Sequence, residues 1–178
     1  MMYSPEVPIS VDPETGRWTT DSLPMLYVPL HFFVNNHKAI ERELGVERYS
    51  RLLYDAGYKS AWTWCEHEAE MHNLAGVDVF EHYLKRLSQR GWGLFEVLDF
   101  DLADAQASVS LRNSAFHQPE SNDQSTGDYM FTGWFSGAMD QILRAQGSSM
   151  RTTSQQVHWE GQDGAEYGLF HVAPRQLH

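Results

Sequence analysis

The chain has 178 residues, of which 42% are hydrophobic, so it can bury one core and a single domain is expected. Its formal net charge of −11 argues against nucleic acid or an anionic membrane as a partner, because phosphate binding needs a basic surface. The single cysteine, Cys65, excludes an intrachain disulfide and a cysteine cluster for iron–sulfur or structural zinc. Neither an 18-residue apolar run nor a signal-peptide pattern is present, which predicts a soluble, cytoplasmic protein.

The first half of the chain is predicted to be mostly helical. Residues 1–24 contain four prolines and are expected to form an irregular N-terminal arm, whereas residues 25–178 are expected to form one domain. Asn36 is a plausible N-cap for a helix that ends at Gly45. Apolar residues at helical spacing predict a second helix from Val46 to about His72.

A third helix and the first strands follow. Asp78 with Glu81 three residues later resembles a capping box, and Gly91 ends the helix that it would begin. The period of the apolar residues then changes from 3.6 to 2. Two strands are therefore predicted, at about residues 94–100 and 105–112, with a polar loop over residues 117–128.

The last part of the chain predicts one helix that leads into one β-hairpin. Apolar residues from Phe131 to Ala145 recur at helical spacing. Gly133 and Gly137 lie four residues apart on one face, and each costs about 1 kcal/mol relative to alanine, so they need a packing or binding reason. Asp163-Gly164 lies between two strand-like runs, as in tight hairpins. Clustered elements of this kind predict an α+β fold, with a helical layer packed on an antiparallel sheet of about four strands and closed by a helix and a hairpin.

The segment from Thr63 to His72 carries most of the metal-ligating side chains. His67, Glu68 and His72 do not form the zinc-protease motif H-E-x-x-H, because the two histidines are five residues apart rather than four. Cys65, Glu68 and His72 do share one helical face and are the candidate metal ligands, with a histidine from elsewhere in the chain as a further ligand. The alternative is that Cys65 is a small core residue and that the other two lie on a solvated rim.

Aromatic residues are the candidate walls of an apolar pocket, although the same residues are also typical of a packed core. The predicted ligand-binding residues are Trp62, Cys65, Tyr129, Phe131, Trp134 and Phe135. Nucleophile elbows, dinucleotide fingerprints and phosphate loops are absent, and this favours a non-catalytic protein. The sequence identifies no cofactor.

Three segments carry a family resemblance: RGWGLFEV, YMFTGWFSGAMDQILRAQG and VHWEGQDGAEYGLFHV. In this order they resemble 4-vinyl reductase-type domains, from a superfamily that includes heme nitric-oxide sensors and TRAPP subunits. The resemblance implies a bacterial homodimer with a pocket for an apolar or tetrapyrrole-like ligand, and a narrower subfamily linked to methylated-amine catabolism. Many members place two metal-binding cysteines on the closing hairpin. The equivalent positions here are Glu160 and Gly168, which argues against that metal site.

Three functions remain open on these grounds. The first is a non-catalytic, homodimeric protein that binds or senses a small apolar molecule. The second is an accessory subunit that docks onto a redox or demethylating enzyme through its acidic surface and its N-terminal arm. The third is a metal-dependent enzyme that uses Cys65, Glu68 and His72.

Overall fold

The computed structural model describes residues 7–116, 127–160 and 166–175. Four helices and seven strands are found in this part of the chain. The helices are α1 (Leu30–Leu44), α2 (Val46–His72), α3 (Val77–Gln89) and α4 (Phe131–Ala145), the last preceded by a 3₁₀ turn at Gly127–Met130. The strands are β1 (Ile9–Val11), β2 (Trp18–Thr20), β3 (Leu23–Met25), β4 (Leu94–Asp101), β5 (Gln106–Arg112), β6 (Thr152–Glu160) and β7 (Glu166–Pro174).

The strands form two antiparallel sheets. The small sheet has the order β1-β2-β3, and the main sheet has the order β4-β5-β7-β6. The α+β class, the sheet of about four strands and the closing helix and hairpin are therefore confirmed. The Asp163-Gly164 turn of that hairpin lies outside the described residues.

The N-terminal region differs from the irregular arm that its prolines predict, since it contains the small sheet. Asp12 stabilises the turn between β1 and β2, because its carboxylate accepts hydrogen bonds from the Glu14 N–H at 2.9 Å and from the Thr15 hydroxyl. Pro24 is tolerated because β3 is an edge strand, where a missing N–H need not break the ladder.

Two helix starts also differ from prediction. Helix α1 begins at Leu30, directly after Pro29, so Asn36 lies inside the helix and is not its cap. Pro29 is the extended residue directly before the helix, with φ −61° and ψ 136°, and its fixed φ is compatible with that N-cap position. Helix α3 begins at Val77 after Gly76, and Asp78 makes no capping hydrogen bond. Its carboxylate lies instead in the first turn, where negative charge interacts favourably with the helix dipole.

The two glycines of α4 have a packing reason. A Cβ atom on Gly133 would overlap the backbone carbonyl of Tyr54, and one on Gly137 would overlap that of Tyr58. Helix α4 therefore lies directly against the backbone of α2. On α2, Gly57 leaves the space that the indole ring of Trp134 fills. This interlocked pair of helices forms the centre of the fold.

A buried carboxylate ties the same two helices to the main sheet. Asp140 on α4 is only 1% exposed, and it accepts hydrogen bonds from the Tyr58 hydroxyl at 2.8 Å and from both the N–H and the hydroxyl of Thr152 at 2.7 Å. Burial, together with this hydrogen bond, raises the pKa of Tyr58. Asp140 thus joins α4, α2 and the start of β6.

Within the part of the chain that the structure describes, no helix combines the length and apolar content that a membrane span requires.

Candidate functional site

A buried carboxylate with two histidines lies where α2, α3 and the small sheet meet. Glu68 on α2 is 0% exposed. Its Oε2 atom is 2.7 Å from Nε2 of His82 on α3 and 3.4 Å from Nε2 of His72, one turn further along α2. Candidate ligand atoms of these three side chains all lie within 4.8 Å of one another. We refer to Glu68, His72 and His82 as the Glu68 cluster.

A second carboxylate and an arginine border the Glu68 cluster. Asp21 lies in the turn between β2 and β3, with its Oδ1 atom 3.7 Å from His72 Nε2. Its Oδ2 atom is 2.9 Å from a terminal nitrogen of Arg86, whose Nε is 3.9 Å from Glu68 Oε2. The Arg86 guanidinium is therefore paired more closely with Asp21 than with Glu68. Glu68 Oε1 is buried and has no hydrogen-bond partner among the described residues.

The structure brings together two of the three predicted metal ligands. Glu68 and His72 lie side by side, whereas Cys65 is 0% exposed and packs in the hydrophobic core. Burial raises the pKa of the Cys65 thiol, and the nearby Glu68 raises it further, so this side chain stays protonated. The third member is His82, which takes the place of the unspecified histidine that the sequence predicts as a further ligand. The residues around His82 in the sequence do not indicate that α3 places this side chain against α2.

An extended set of aromatic rings surrounds the start of α4. The rings of Phe131, Trp134, Trp92, Phe33 and Phe116 form a continuous chain of edge and tilted contacts, which we call the aromatic cluster. Centroids are 5.2 Å apart for Phe131–Trp134, Trp92–Trp134 and Phe33–Trp92, and 5.9 Å apart for Phe116–Phe131. Phe131 is fully buried, but Phe33, Trp92 and Trp134 are only partly buried. The cluster therefore has an accessible side.

A polar group lies at the edge of the aromatic cluster. His37 on α1 is 3% exposed, and its ring centroid lies 5.0 Å from that of Phe116. The Tyr129 hydroxyl donates to the Glu41 carboxylate and lies 3.3 Å from His37 Nε2. Nδ1 of His37 is buried without a hydrogen-bond partner in the described part of the chain. Burial lowers the pKa of His37, against the opposing effect of Glu41.

The predicted ligand-binding residues do not lie in one place, and Cys65 is buried in the hydrophobic core. Phe131, Trp134 and Phe135 lie together, with Phe131 and Phe135 fully buried and 6.4 Å apart. Tyr129 reaches them through His37 and Phe116. Trp62 is separate: its ring is 6.2 Å from Tyr58, and the Arg151 guanidinium lies 5.9 Å from it.

The closing hairpin carries neither of the expected cysteines. Gly168 pairs with His158 across the β6–β7 ladder, and a Cβ atom there would lie 3.1 Å from the ring of Phe170 and 3.5 Å from Cβ of Leu111. Any larger side chain at this position requires its neighbours to move, so the position is part of the sheet packing.

A family model matches residues 3–98, which is more than half of the chain. The chain belongs to the DUF5943 family, a domain of unknown function. The match covers the small sheet, α1, α2, α3 and most of β4, and therefore includes all members of the Glu68 cluster. No curated protein matches this DUF5943 chain in sequence.

Solved structures resemble the DUF5943 chain in fold. The phenol-responsive sensory domain of the transcription activator PoxR, solved with phenol, aligns with a TM-score of 0.73 and 15% identity, over 93% of this chain and 84% of that one. Subunit 3 of a trafficking protein particle complex from Naegleria fowleri, covalently bound to palmitic acid, aligns with a TM-score of 0.55 and 10% identity, over 83% of this chain and 95% of that one. The expected likeness to a 4-vinyl reductase-like fold and to a TRAPP subunit is confirmed at the level of the fold.

Proposed function

We propose that this protein binds and senses a small, largely apolar molecule, with an aromatic compound that carries one polar group as the preferred ligand. The observation that carries the proposal is the pairing of the aromatic cluster with the buried Nδ1 of His37, which has no hydrogen-bond partner among the described residues. Aromatic walls with a few convergent polar groups are the usual composition of small-molecule sites. Such a site suits a flat ligand whose ring packs among the aromatic side chains.

The polar edge gives the ligand its expected hydrogen bond. A buried polar atom without a partner costs about 1–3 kcal/mol, and a hydroxyl or carbonyl group of a ligand would recover part of this. Nε2 of His37 already faces the Tyr129 hydroxyl, so Nδ1 is the ring nitrogen that lacks a hydrogen-bond partner in the described part of the chain. The fold shared with a phenol-responsive sensory domain supports the same ligand class.

Tryptophan fluorescence tests the proposal with a panel of phenol, palmitic acid and protoporphyrin IX. Phenol is expected to change the emission of the wild-type protein in a saturable way and to raise its melting temperature, because Trp92 and Trp134 lie in the aromatic cluster. Trp134→Phe should reduce the fluorescence response. The matched control is Trp18→Phe, since Trp18 stacks on Tyr27 in the N-terminal region and should leave the response unchanged.

Other results of the panel are equally informative. A saturable response to palmitic acid or protoporphyrin alone would replace the aromatic ligand with a lipid or a tetrapyrrole. The absence of any saturable response in folded wild-type protein would refute the proposal. The comparisons give no support to a link with methylated-amine catabolism, and the proposal does not include one.

The homodimer remains a prediction, and the exposed apolar residues after β3 and at the start of α1 are its proposed contact surface. Leu26 and Tyr27 after β3 are each 82% exposed, and Phe32 at the start of α1 is 61% exposed. Neighbouring exposed apolar side chains of this kind are typical of protein contacts. Light scattering is expected to give twice the chain mass of 20.5 kDa, or about 41 kDa. A mass of one chain at high concentration would contradict it, and an enzyme partner on the same surface would be identified by co-purification.

A further inference from the structure

We propose that Glu68, His72 and His82 bind a divalent transition-metal ion. This inference is independent of the apolar ligand, because the Glu68 cluster lies between α2 and α3 and shares no residue with the aromatic cluster. It also concerns a different place from the closing hairpin, where Glu160 and Gly168 replace the expected cysteines. The family match covers all three ligands.

Burial of Glu68 is the first argument. A carboxylate with no exposed surface is costly unless charge and hydrogen bonds compensate it. Arg86 lies 2.9 Å from Asp21 and forms only a long ion pair of 3.9 Å with Glu68, and Arg90 attracts Glu68 without a direct contact of its own. Glu68 Oε1 has no hydrogen-bond partner in the described ranges. A metal ion bound by this carboxylate would place positive charge in direct contact with it, which neither arginine does.

The spacing of the ligand atoms is the second argument. Zinc binds histidine nitrogen and carboxylate oxygen at about 2.1 Å, so two ligand atoms on one ion lie roughly 3.0–3.4 Å apart. Nε2 of His72 lies at 3.4 Å from Glu68 Oε2, and Nε2 of His82 at 2.7 Å. The second distance is that of a hydrogen bond, which the His82 Nε2–H donates when no metal is bound. A metal ion would bind the tautomer of His82 that carries its proton on Nδ1, and a shift of a few tenths of an ångström would complete the geometry.

The ligand types select the class of ion. Two imidazoles and one carboxylate are the protein ligands of catalytic-type zinc sites and of the facial triad that binds ferrous iron. Calcium and magnesium prefer oxygen ligands alone, and the protonated, buried thiol of Cys65 offers no thiolate. Asp21 is not counted as a ligand, because its carboxylate forms an ion pair with Arg86 at 2.9 Å. The site therefore has three protein ligands. His72 lies at the surface, so that water or a small anion can reach the remaining position.

Cobalt and zinc titrations of chelator-stripped protein test the inference. Wild-type protein is expected to bind one ion per chain and to give visible cobalt absorption bands that zinc removes. His82→Gln and Glu68→Gln should each weaken binding by more than about 100-fold, beyond the 10–100-fold effect of residues that only support a ligand. The matched control is His31→Gln, since His31 is an exposed histidine on α1 and its loss should leave the affinity unchanged.

Circular dichroism shows whether each variant is folded. If a variant does not fold, a second measurement on the wild-type protein still tests the inference. Proton NMR of the cobalt-loaded protein should show two strongly shifted imidazole N–H signals, one from His72 and one from His82. Folded wild-type protein without stoichiometric binding would overturn the inference. So would an unchanged affinity in folded His82→Gln, or fewer than two shifted imidazole signals.

Discussion

Replacement of Gly137 by alanine tests how α4 is held against α2. In a helix with free space, this change stabilises by about 1 kcal/mol, because alanine has the higher helix propensity. Here the new Cβ atom would overlap the carbonyl oxygen of Tyr58 and lie 2.9 Å from its Cα and carbonyl carbon. Overpacking against a well-packed core costs about 1–3 kcal/mol, and backbone atoms cannot rotate away. We therefore expect the overlap to outweigh propensity, with a net loss of about 1 kcal/mol in the free energy of unfolding.

Urea denaturation measures this free energy of unfolding, and two comparisons separate its causes. Ala39→Gly on the exposed face of α1 measures propensity alone and should cost about 1 kcal/mol. Gly57→Ala meets the indole of Trp134, a side chain, so the additional change Trp134→Leu should relieve part of its cost. Tyr58→Phe should give no such relief to Gly137→Ala. Stabilisation by Gly137→Ala would refute the close contact of the two helices.

Three further predictions concern buried polar groups. Asp140→Ala removes the acceptor of three hydrogen bonds from Tyr58 and Thr152, of which only the Thr152 hydroxyl has a second acceptor, so we expect a loss of about 2–4 kcal/mol in the free energy of unfolding by urea denaturation, and an unchanged midpoint would contradict this. Cys65 should resist alkylation at about pH 8 until urea unfolds the protein, because burial raises its pKa; rapid reaction of the native thiol would disprove this. Burial lowers the pKa of His37 below its usual 6.5, so the unfolded chain binds the proton first as pH falls. The stability that His37 contributes is complete above about pH 6.5 and is lost below it, and His37→Phe should flatten this part of a stability-against-pH curve.

The long regular elements are the part of the fold that the sequence predicts well. Helix α2 and the four strands of the main sheet carry enough residues for their period to be recognised. The strands β1, β2 and β3 have three residues each, which is too few for a period, so only their prolines were informative. The start of α1 differs from the prediction because Asn36 has the chemistry of a cap but lies within a helix that begins at Leu30, directly after Pro29.

The candidate sites depend on contacts between distant segments, and these are harder to predict. Glu68 and His72 share a face of one helix, which their spacing predicts. His82 joins them only because α3 packs beside α2, and the sequence shows no pattern that selects it from the other histidines. In the same way, Trp134 was predicted from α4, whereas Trp92 comes from the loop before β4 and was not recognised as a partner.

Calorimetric titration of phenol and of toluene into wild-type protein and His37→Phe tests the central claim most directly. The wild type should bind phenol about fivefold more tightly than toluene, because one net hydrogen bond contributes about 1 kcal/mol. His37→Phe keeps a ring at the same place but removes Nδ1, so it should bind the two compounds equally. An unchanged preference in His37→Phe, or no binding of phenol by the folded wild type, would contradict the proposed site.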